Sequence, residues 1–345
     1  MSAKADQLGT YFLDVGQGDC SFVIDGAGAG VLFDCADAQV AQKFVLDQGI
    51  RRLAAVVASH LDTDHIQGMH SFLQWFVAQP DRELDDVYLG LDRPKAELSD
   101  TALKLLRAVM RWSDERLLTM GRAEREGRPK TIWQSGDTRV DIVLPLYASQ
   151  LGAHLGGGEK PNPSSAVLRV VRGETAILIG GDAPLGSWER VETHLLPARL
   201  LRSSHHGGKI DEGAGEWTME TLYDRVGADD VVVSVGTNNG HKHPIEEHIR
   251  SMQRIDRRRV LCTQLTPRCH PDPQMLRSGF EGRTSEVLPP YRHQLRKRKP
   301  PEVPCAGSVV AWIDASGAVE VIPRRGEWHD KFVGRVDAPL CRPAQ

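Results

Sequence analysis

Residues 59–68, Ser-His-Leu-Asp-Thr-Asp-His-Ile-Gln-Gly, place four ionisable side chains within six positions. They follow the apolar run 53–58, which has the length and composition of a buried strand. Imidazole and carboxylate groups together suit zinc, manganese or iron, and so dense a cluster can serve two adjacent ions. The alternative is a solvated polar loop, in which charged groups this close would repel one another unless something neutralised them. The stretch therefore predicts a metal site directly after a strand.

The pattern of strands and helices around this stretch occurs twice along the chain. Glycine-punctuated β-rich runs over 10–34 lead to a helix-period segment and then to the strand before residue 59. A second set of β-rich runs, over 139–180, leads to alternating helices and strands. This duplication predicts two stacked sheets with helices outside, a four-layer αββα sandwich of the α/β (α+β) class. The expected divisions are a catalytic domain over 8–255, a helical insertion at about 80–130, and a C-terminal extension over 256–345 packed on the same domain.

Length and composition exclude several classes of protein. The chain has 345 residues, of which 40% are hydrophobic and 26% charged, as in ordinary globular proteins. No apolar run approaches the roughly 18 residues of a membrane span, and the first residues lack the apolar segment of a signal peptide. Six cysteines are too few for a disulfide framework. We therefore expect a cytoplasmic protein without membrane spans.

Several further motifs occur in a fixed order around the metal-type stretch. They are Leu-Asp-Val-Gly-Gln-Gly-Asp at 13–19, Asn-Pro-Ser-Ser-Ala-Val-Leu at 162–168, Ile-Gly-Gly-Asp at 179–182, Ser-His-His-Gly at 204–207, and Ser-Val-Gly-Thr-Asn-Asn at 234–239 leading to His243-Pro244. With His-x-Asp-x-Asp-His at 60–65, this series resembles the metallo-β-lactamase fold superfamily, and within it the ComEC/Rec2-like competence branch. Asp62 stands where the superfamily commonly has histidine, as it often does in ComEC-like members. ComEC itself is a polytopic membrane protein, so its role in DNA uptake is not implied for this chain.

The resemblance implies a metallo-β-lactamase sandwich that binds two divalent metal ions, Zn or Mn, and hydrolyses its substrate. By resemblance, His60 and Asp62 would bind the first ion, and Asp64 and His65 the second. Asp182 would bridge the two ions, a role compatible with its alternative as a helix N-cap. Two metals lower the pKa of a bridging water toward about 7 and so supply hydroxide, which Asp64 would also orient as a catalytic residue.

The histidines downstream leave two choices open. Adjacent side chains on an extended segment point to opposite faces, so we expect only one of His205 and His206 to face the ions. We predict His206 as the ligand and His205 as a catalytic proton donor to the leaving oxygen, with the reverse assignment open. His243 is predicted as a ligand in preference to His241, because its spacing from the preceding Asn-Asn pair matches the family.

Other side chains are expected to support the ligands from outside. Hydrogen bonds to metal ligands fix their orientation. Asp34 would orient the loop over 59–68, with a plain turn aspartate as the alternative, and Asn162 and Ser165 are assigned similar supporting roles.

The cysteines of the C-terminal extension suggest a second kind of metal site. Cys262, Cys269, His270 and Cys305 could form a Cys₃His structural zinc site, which would be a third metal ion. The spacing is not that of a standard zinc knuckle, and the alternative is that each cysteine is simply buried on its own.

Charge is unevenly distributed and bears on the substrate. The formal net charge is −3, but residues 250–300 carry 13 Lys+Arg and 4 Asp+Glu, a balance of +9 that leaves −12 elsewhere. Basic runs attract phosphodiester backbones, although a solvated loop or a contact with an acidic partner is the alternative. The candidate substrate-binding residues in this run are Arg292, Arg296, Lys297, Arg298 and Lys299.

These features predict a metal-dependent phosphodiesterase or nuclease that acts on DNA, RNA or nucleotides. One alternative is a hydrolase of small esters, thioesters, lactones or phosphocholine-type phosphoesters, and another is a non-enzymatic scaffold that binds a partner. The insertion at about 80–130 is expected to cover the site or contact a partner protein.

Overall fold

Two β-sheets lie face to face in the computed structural model, which describes residues 7–90, 97–147, 164–211, 214–255, 258–276 and 302–341. The strands of the first sheet are β1 (Leu8–Phe12), β2 (Cys20–Ile24), β3 (Ala29–Cys35), β4 (Arg52–Ala58), β5 (Glu83–Leu89), β6 (Thr119–Arg122), β14 (Val309–Ile313) and β15 (Val319–Pro323). Those of the second are β7 (Lys130–Ser135), β8 (Thr138–Leu144), β9 (Val167–Arg172), β10 (Thr175–Ile179), β11 (Leu200–Arg202), β12 (Asp230–Val233) and β13 (Arg259–Cys262).

The two sheets repeat one topology, as the duplicated sequence pattern predicts. The first has the order β15-β14-β1-β2-β3-β4-β5-β6, and the second has the order β13-β12-β11-β10-β9-β8-β7. In the first, β1 to β3 pair antiparallel and β3 to β6 pair parallel. In the second, β7 to β10 pair antiparallel and β10 to β13 pair parallel. Each sheet is therefore a meander extended by parallel strands.

Helices cover the outer faces of both sheets, which completes four layers. Between the sheets, apolar side chains such as Phe33 and Val57 share one core with Leu168 and Ile177. Two further cores lie under the outer helices. The first sheet carries α1 (Ala38–Gln48), α2 (Thr63–Ile66), α3 (Met69–Val77) and α4 (Asp100–Asp114), and the second carries α5 (Leu185–Trp188), α6 (Met219–Val226) and α7 (Glu246–Gln253), with α8 (Trp328–Val333) near the end of the chain. The predicted αββα sandwich is confirmed.

The stretch predicted as a helical insertion, at about 80–130, holds one long helix but also strands. Within it, β5 and β6 continue the first sheet beyond β4 by parallel pairing. The sequence of β5, Glu-Leu-Asp-Asp-Val-Tyr-Leu, carries three acidic residues, which hide its strand character. In the sequence of this stretch only α4 is evident, because its apolar residues recur at helical spacing.

The C-terminal segment contributes to both sheets. β13 pairs with β12 at the edge of the second sheet, and β14 pairs with β1 in the first, where Tyr11 lies opposite Val310. Residues far apart in sequence thus complete the two sheets. No helix among the described residues is long and apolar enough to cross a membrane.

Candidate metal centre

The loops that follow the parallel strands meet at one edge of the two sheets. The loop after β4 carries His60 and His65, the loop after β10 carries Asp182, and the loop after β11 carries His205 and His206. The carboxyl ends of parallel strands are the usual position of sites in open α/β sheets. Here the same edge of both sheets gathers the predicted ligands.

Four imidazoles surround the carboxylate of Asp182, two on each of its oxygens. The Nε2 atoms of His60 and His205 lie 3.8 and 3.9 Å from Oδ2. The Nε2 atoms of His65 and His206 lie 3.2 and 3.9 Å from Oδ1. Asp182 is 4% exposed, so this convergence is buried.

Two more carboxylates stand on the open side of the cluster. Oδ2 of Asp62 is 3.4 Å from Nε2 of His60, and Oδ2 of Asp64 is 3.3 Å from Nε2 of His206. The side chains of Asp62 and Asp64 are 36% and 32% exposed, and that of His205 is 27% exposed. These three side chains therefore form the part of the cluster that a substrate can reach.

The histidines of the first motif are held through their Nδ1 atoms. Asp34 accepts hydrogen bonds from the backbone N–H of Ser59 (2.7 Å) and from its hydroxyl (2.8 Å), and lies 2.7 Å from Nδ1 of His65. Because the Ser59 hydroxyl donates to Asp34, it accepts from Nδ1–H of His60 at 3.0 Å. Both rings are therefore held through Nδ1 and turn Nε2 toward Asp182.

The second pair of histidines is oriented in the same way by backbone carbonyls. Nδ1–H of His205 donates to the carbonyl of Lys209 (2.9 Å), and Nδ1–H of His206 donates to the carbonyl of Ser234 (2.8 Å). An imidazole that binds a metal through one nitrogen typically donates from the other to such an acceptor. All four rings have the arrangement of metal ligands.

The facing groups fit a cation between them. Nε2 of His60, His65 and His206 and Oδ1 of Asp182 are buried and have no hydrogen-bond partner. Burial acts to raise the pKa of Asp182, but the charges of His65 and His206 outweigh it and hold that pKa well below its usual range. Lone pairs that face a carboxylate repel it unless a proton or metal ion intervenes. An imidazole and carboxylate set of this kind suits zinc, manganese or iron.

The backbone at His205 and His206 corrects the expectation that only one of them faces the site. That expectation assumes an extended segment, whereas both residues have a φ of 51° and lie in the left-handed region. Both Nε2 atoms consequently turn toward Asp182. A left-handed non-glycine residue costs about 1–2 kcal/mol, so this loop is strained locally.

His243 lies beside this pair and not next to Asp182. Its ring centroid is 5.1 Å from that of His205 and 6.4 Å from that of His206. Asn239 closes the loop by accepting from the backbone N–H of His243 (2.8 Å) and donating to its carbonyl (3.0 Å). His241 is exposed, and the role of His243 as a ligand stays a prediction.

Sequence reasoning missed two buried residues of the centre, Asp19 and Arg202. In the described part of the chain, one group of three or more potential ligands has its ligand atoms within 4.8 Å of one another: Asp19, His65, Asp182 and His206. Oδ2 of Asp19 is 3.5 Å from Nδ1 of His65 and forms an ion pair with the fully buried guanidinium of Arg202. The Nδ1 proton of His65 goes to Asp34 at 2.7 Å, so Asp19 does not orient that ring by a hydrogen bond and instead stands as a further potential ligand of the cluster.

Comparison with known families agrees with this geometry. The family model of the metallo-beta-lactamase superfamily matches residues 13–212, which is more than half of the chain. The chain belongs to the metallo-beta-lactamase superfamily. It is accordingly a metallo-hydrolase of that fold, with a buried Asp/His cluster where the superfamily binds divalent metal ions.

Several solved structures of the superfamily are similar to this chain. YhfI from Bacillus subtilis is 12% identical, with a TM-score of 0.42 over 71% of this chain and 94% of that one. The short form of human tRNase Z is 16% identical, with a TM-score of 0.38 over 66% and 93%. A diphosphatase of the PhnP family is 14% identical, with a TM-score of 0.39 over 71% and 91%. These likenesses are distant, and no substrate follows from them. No curated protein matches the sequence significantly.

Ser165 and Asp34, which are predicted from the sequence to support the ligands, both lie beside the metal centre of this superfamily member. The hydroxyl of Ser165 accepts from the backbone N–H of Asp182 at 2.8 Å and lies 3.5 Å from Nδ1 of His60. Asp34 accepts two hydrogen bonds from Ser59 at the start of the loop over 59–68. The predicted residues outside the described ranges are Asn162, Arg292, Arg296, Lys297, Arg298 and Lys299.

The predicted Cys₃His zinc site is not assembled among the described residues. The thiols that line one small cavity are Cys262, Cys269, Cys305 and Cys341. His270 turns elsewhere, with its Nδ1 3.1 Å from Oδ2 of Asp337. Burial raises the pKa of the Cys262 and Cys305 thiols. Cys269 and Cys305 pack among apolar side chains such as Leu265 and Phe332.

A buried tyrosine anchors the loop that carries the downstream histidines. Burial lowers the pKa of His248 to about 4, so its neutral ring donates from Nδ1 to the carbonyl of Gly208 (2.6 Å) and accepts from Tyr223 (2.8 Å). We expect Tyr223→Phe to lower the free energy of unfolding by about 1–3 kcal/mol, because Nε2 of His248 is then buried without a donor. Urea unfolding measures this change. The exposed Tyr147→Phe serves as a control, and equal stability of the two variants would refute the role of Tyr223.

The buried carboxyl group of Asp14, in the motif at 13–19, makes stability depend on pH. Burial raises the pKa of Asp14 from 3.8 to about 6, against the hydrogen bond from Gln264. As pH rises, Asp14 ionises at a lower pH in the unfolded chain than in the native protein. The free energy of unfolding therefore falls between about pH 4 and pH 6, by up to about 3 kcal/mol. We therefore expect the stability of Asp14→Asn relative to wild type to be greater at pH 7 than at pH 4, by up to about 3 kcal/mol. Urea unfolding with chelator at both pH values checks it, and a pH-independent difference would exclude it.

Proposed function

We propose that this metallo-hydrolase is a phosphodiesterase or nuclease of ComEC/Rec2-like type that acts on nucleic acid or nucleotides. The observation that carries the catalytic part is the Asp182 carboxylate, which has two histidine Nε2 atoms on each oxygen. A carboxylate approached by ligands on both oxygens is suited to bridge two cations. The proposed cofactors are two divalent metal ions, with zinc and manganese both compatible with these ligands.

The ligands divide into two sets around Asp182. We assign His60 and Asp62 to the set on Oδ2, and His65 and Asp64 to the set on Oδ1, where His206 joins them. This division agrees with the distance between Asp62 and its nearest imidazole, since Oδ2 of Asp62 lies 3.4 Å from Nε2 of His60. It would give each ion nitrogen and oxygen ligands, and it leaves His205, whose Nε2 is 3.9 Å from Oδ2 of Asp182, for a separate task.

When bound, divalent ions would supply activated water and polarise a phosphoryl oxygen. The residues of this chain then have separate tasks. Asp64 lies at the open side, where its carboxylate can orient the attacking water while contacting His206. His205 has its Nδ1 proton committed to the Lys209 carbonyl, so its partly exposed Nε2 is the atom that would hold a proton for the leaving oxygen.

The phosphodiester preference is supported by charge and by motif resemblance. The cluster is open on the side of Asp62, Asp64 and His205, and bound cations would convert this acidic edge into one that attracts phosphate. The basic run with Arg292 and Arg296 is the proposed substrate-binding segment, and its contribution would appear as salt-sensitive affinity.

An assay of three substrate types tests this function. Bis-p-nitrophenyl phosphate, single- and double-stranded DNA and RNA, and a lactone panel are incubated with the protein and added Mn or Zn. We expect hydrolysis of the phosphodiesters and not of the lactones. Turnover of lactones alone would place the protein among the small-ester hydrolases and overturn the proposal, while tight binding of nucleic acid without any turnover would identify a scaffold.

A further inference from the structure

A basic groove lies on the outer face of α4, apart from the metal centre. Its volume is about 390 Å³, and its charged lining consists of Asp100, Lys104, Arg107 and Arg111 on α4, with His70 of α3 opposite them. Within the described ranges, none of the three cations has a carboxylate within 4.0 Å. We call this surface the α4 groove, and its three cations outnumber its one carboxylate, that of Asp100.

The three cations of the α4 groove form a row along the helix and do not converge on one position. Lys104, Arg107 and Arg111 are three and four positions apart, which places them on one helix face over about 10 Å at 1.5 Å per residue. A compact anion is best held by donors that converge on it. A nucleic-acid strand carries a phosphate about every 3.4 Å along a duplex axis, so a row of this length can meet two or three phosphates of one strand.

The groove also lies beside the metal-binding loop. α4 packs against both α2 and α3, and α2 carries Asp64 and His65. His70, on the opposite wall of the groove, lies in the first turn of α3 only five residues after His65, and its buried Nδ1 has no hydrogen-bond partner. Burial lowers the pKa of His70, helped by the charges of Lys104 and Arg111, so the wall itself stays neutral.

We infer that the α4 groove binds the phosphate backbone of a nucleic-acid strand whose neighbouring part enters the metal centre. This inference rests on the proposed phosphodiesterase function and assigns a backbone-binding site to it. Phosphate contacts position a strand without reading its sequence, so the groove would favour long substrates without selecting bases. A small diester does not reach the groove and gains nothing from it.

Binding to a single-stranded oligonucleotide tests the inference, measured by fluorescence anisotropy on full-length protein carrying Asp182→Asn so that the strand is not consumed. The groove variant combines Lys104→Gln, Arg107→Gln and Arg111→Gln. The control variant removes the same charge elsewhere, with Lys43→Gln on α1 and Arg51→Gln and Arg52→Gln at the start of β4, all exposed. We expect Kd to rise about 10- to 100-fold for the groove variant alone, and its salt slope to fall by about 2.

Other outcomes separate this inference from the proposed function. With Asp182 intact, the groove variant should hydrolyse bis-p-nitrophenyl phosphate as fast as wild type. If wild type cleaves no phosphodiester, the proposed function fails, while the anisotropy result still decides whether the groove binds nucleic acid. Equal Kd values for the groove and control variants would overturn the inference. Equally effective competition by polyglutamate would also overturn it, in favour of an acidic polypeptide as the partner.

Discussion

Asp182→Asn is expected to lower kcat by about 10³-fold or more on any phosphodiester that the wild-type protein cleaves. The substitution keeps the size of the side chain but removes the charge that faces four imidazoles at 3.2–3.9 Å. Metal ions stabilise the transition state by several kcal/mol, and each 1.36 kcal/mol is a factor of ten in rate. Bound metal should fall together with activity, which metal analysis of the purified variant measures.

A second buried aspartate provides the control for this substitution. Asp141 is 1% exposed and accepts hydrogen bonds from Thr131 and Arg139, both at 2.7 Å, on a strand away from the metal centre. Asp141→Asn should change stability but leave the metal content intact. If Asp182→Asn keeps wild-type metal content and turnover, Asp182 does not hold the metal ions.

Asp34→Asn is expected to weaken metal binding by about 10- to 100-fold without unfolding the protein. Oδ2 of Asp34 lies 2.7 Å from Nδ1 of His65 and also accepts from the Ser59 hydroxyl. An amide N–H in its place would face two other hydrogen-bond donors and could accept from neither. Loss of an outer carboxylate typically has an effect of this size on metal affinity. Asparagine tolerates the φ of 57° at this position, which limits the loss of stability. Competition with a chromogenic chelator measures the metal affinity.

Asp37, which caps α1, is a suitable comparison for Asp34. Its side chain accepts from the backbone N–H groups of Gln39 and Val40. Asp37→Ala should cost about 1 kcal/mol of stability and leave metal affinity unchanged. An Asp34→Asn protein that binds metal as tightly as Asp37→Ala would show that Asp34 does not orient His65.

Local sequence patterns predict the architecture well because each half is built from neighbouring elements. The apolar run before Ser59 becomes β4, and the duplicated meanders become two sheets of one topology. The pairing of β14 with β1 joins residues about 300 positions apart, and nothing local to either strand encodes it. The acidic strand β5 is not evident in the sequence for a different reason. Its burial comes from parallel pairing with β4 and β6, and its residues do not follow an alternating pattern.

The candidate site is predicted in composition but not in detail. The ligand types at 60–65 and at 182 follow from the motifs, whereas the turn of both His205 and His206 toward Asp182 depends on left-handed backbone that no periodicity reveals. Asp19 belongs to a recognised motif, yet its ion pair with Arg202 depends on the meeting of the two halves of the fold. Gly18, at a φ of 141°, lets the loop over 13–19 pack against the loop over 59–68, because a Cβ there would lie 2.4 Å from the carbonyl oxygen of Asp64.

The central claim is that divalent metal ions held around Asp182 perform the hydrolysis. The most direct measurement strips the wild-type protein with a chelator, titrates Mn or Zn back, and follows bound metal and turnover of bis-p-nitrophenyl phosphate together. The account predicts no turnover after stripping and recovery that saturates at two ions per chain, with no recovery in Asp182→Asn. Full turnover in the stripped protein, or recovery that is the same with and without Asp182, would contradict it.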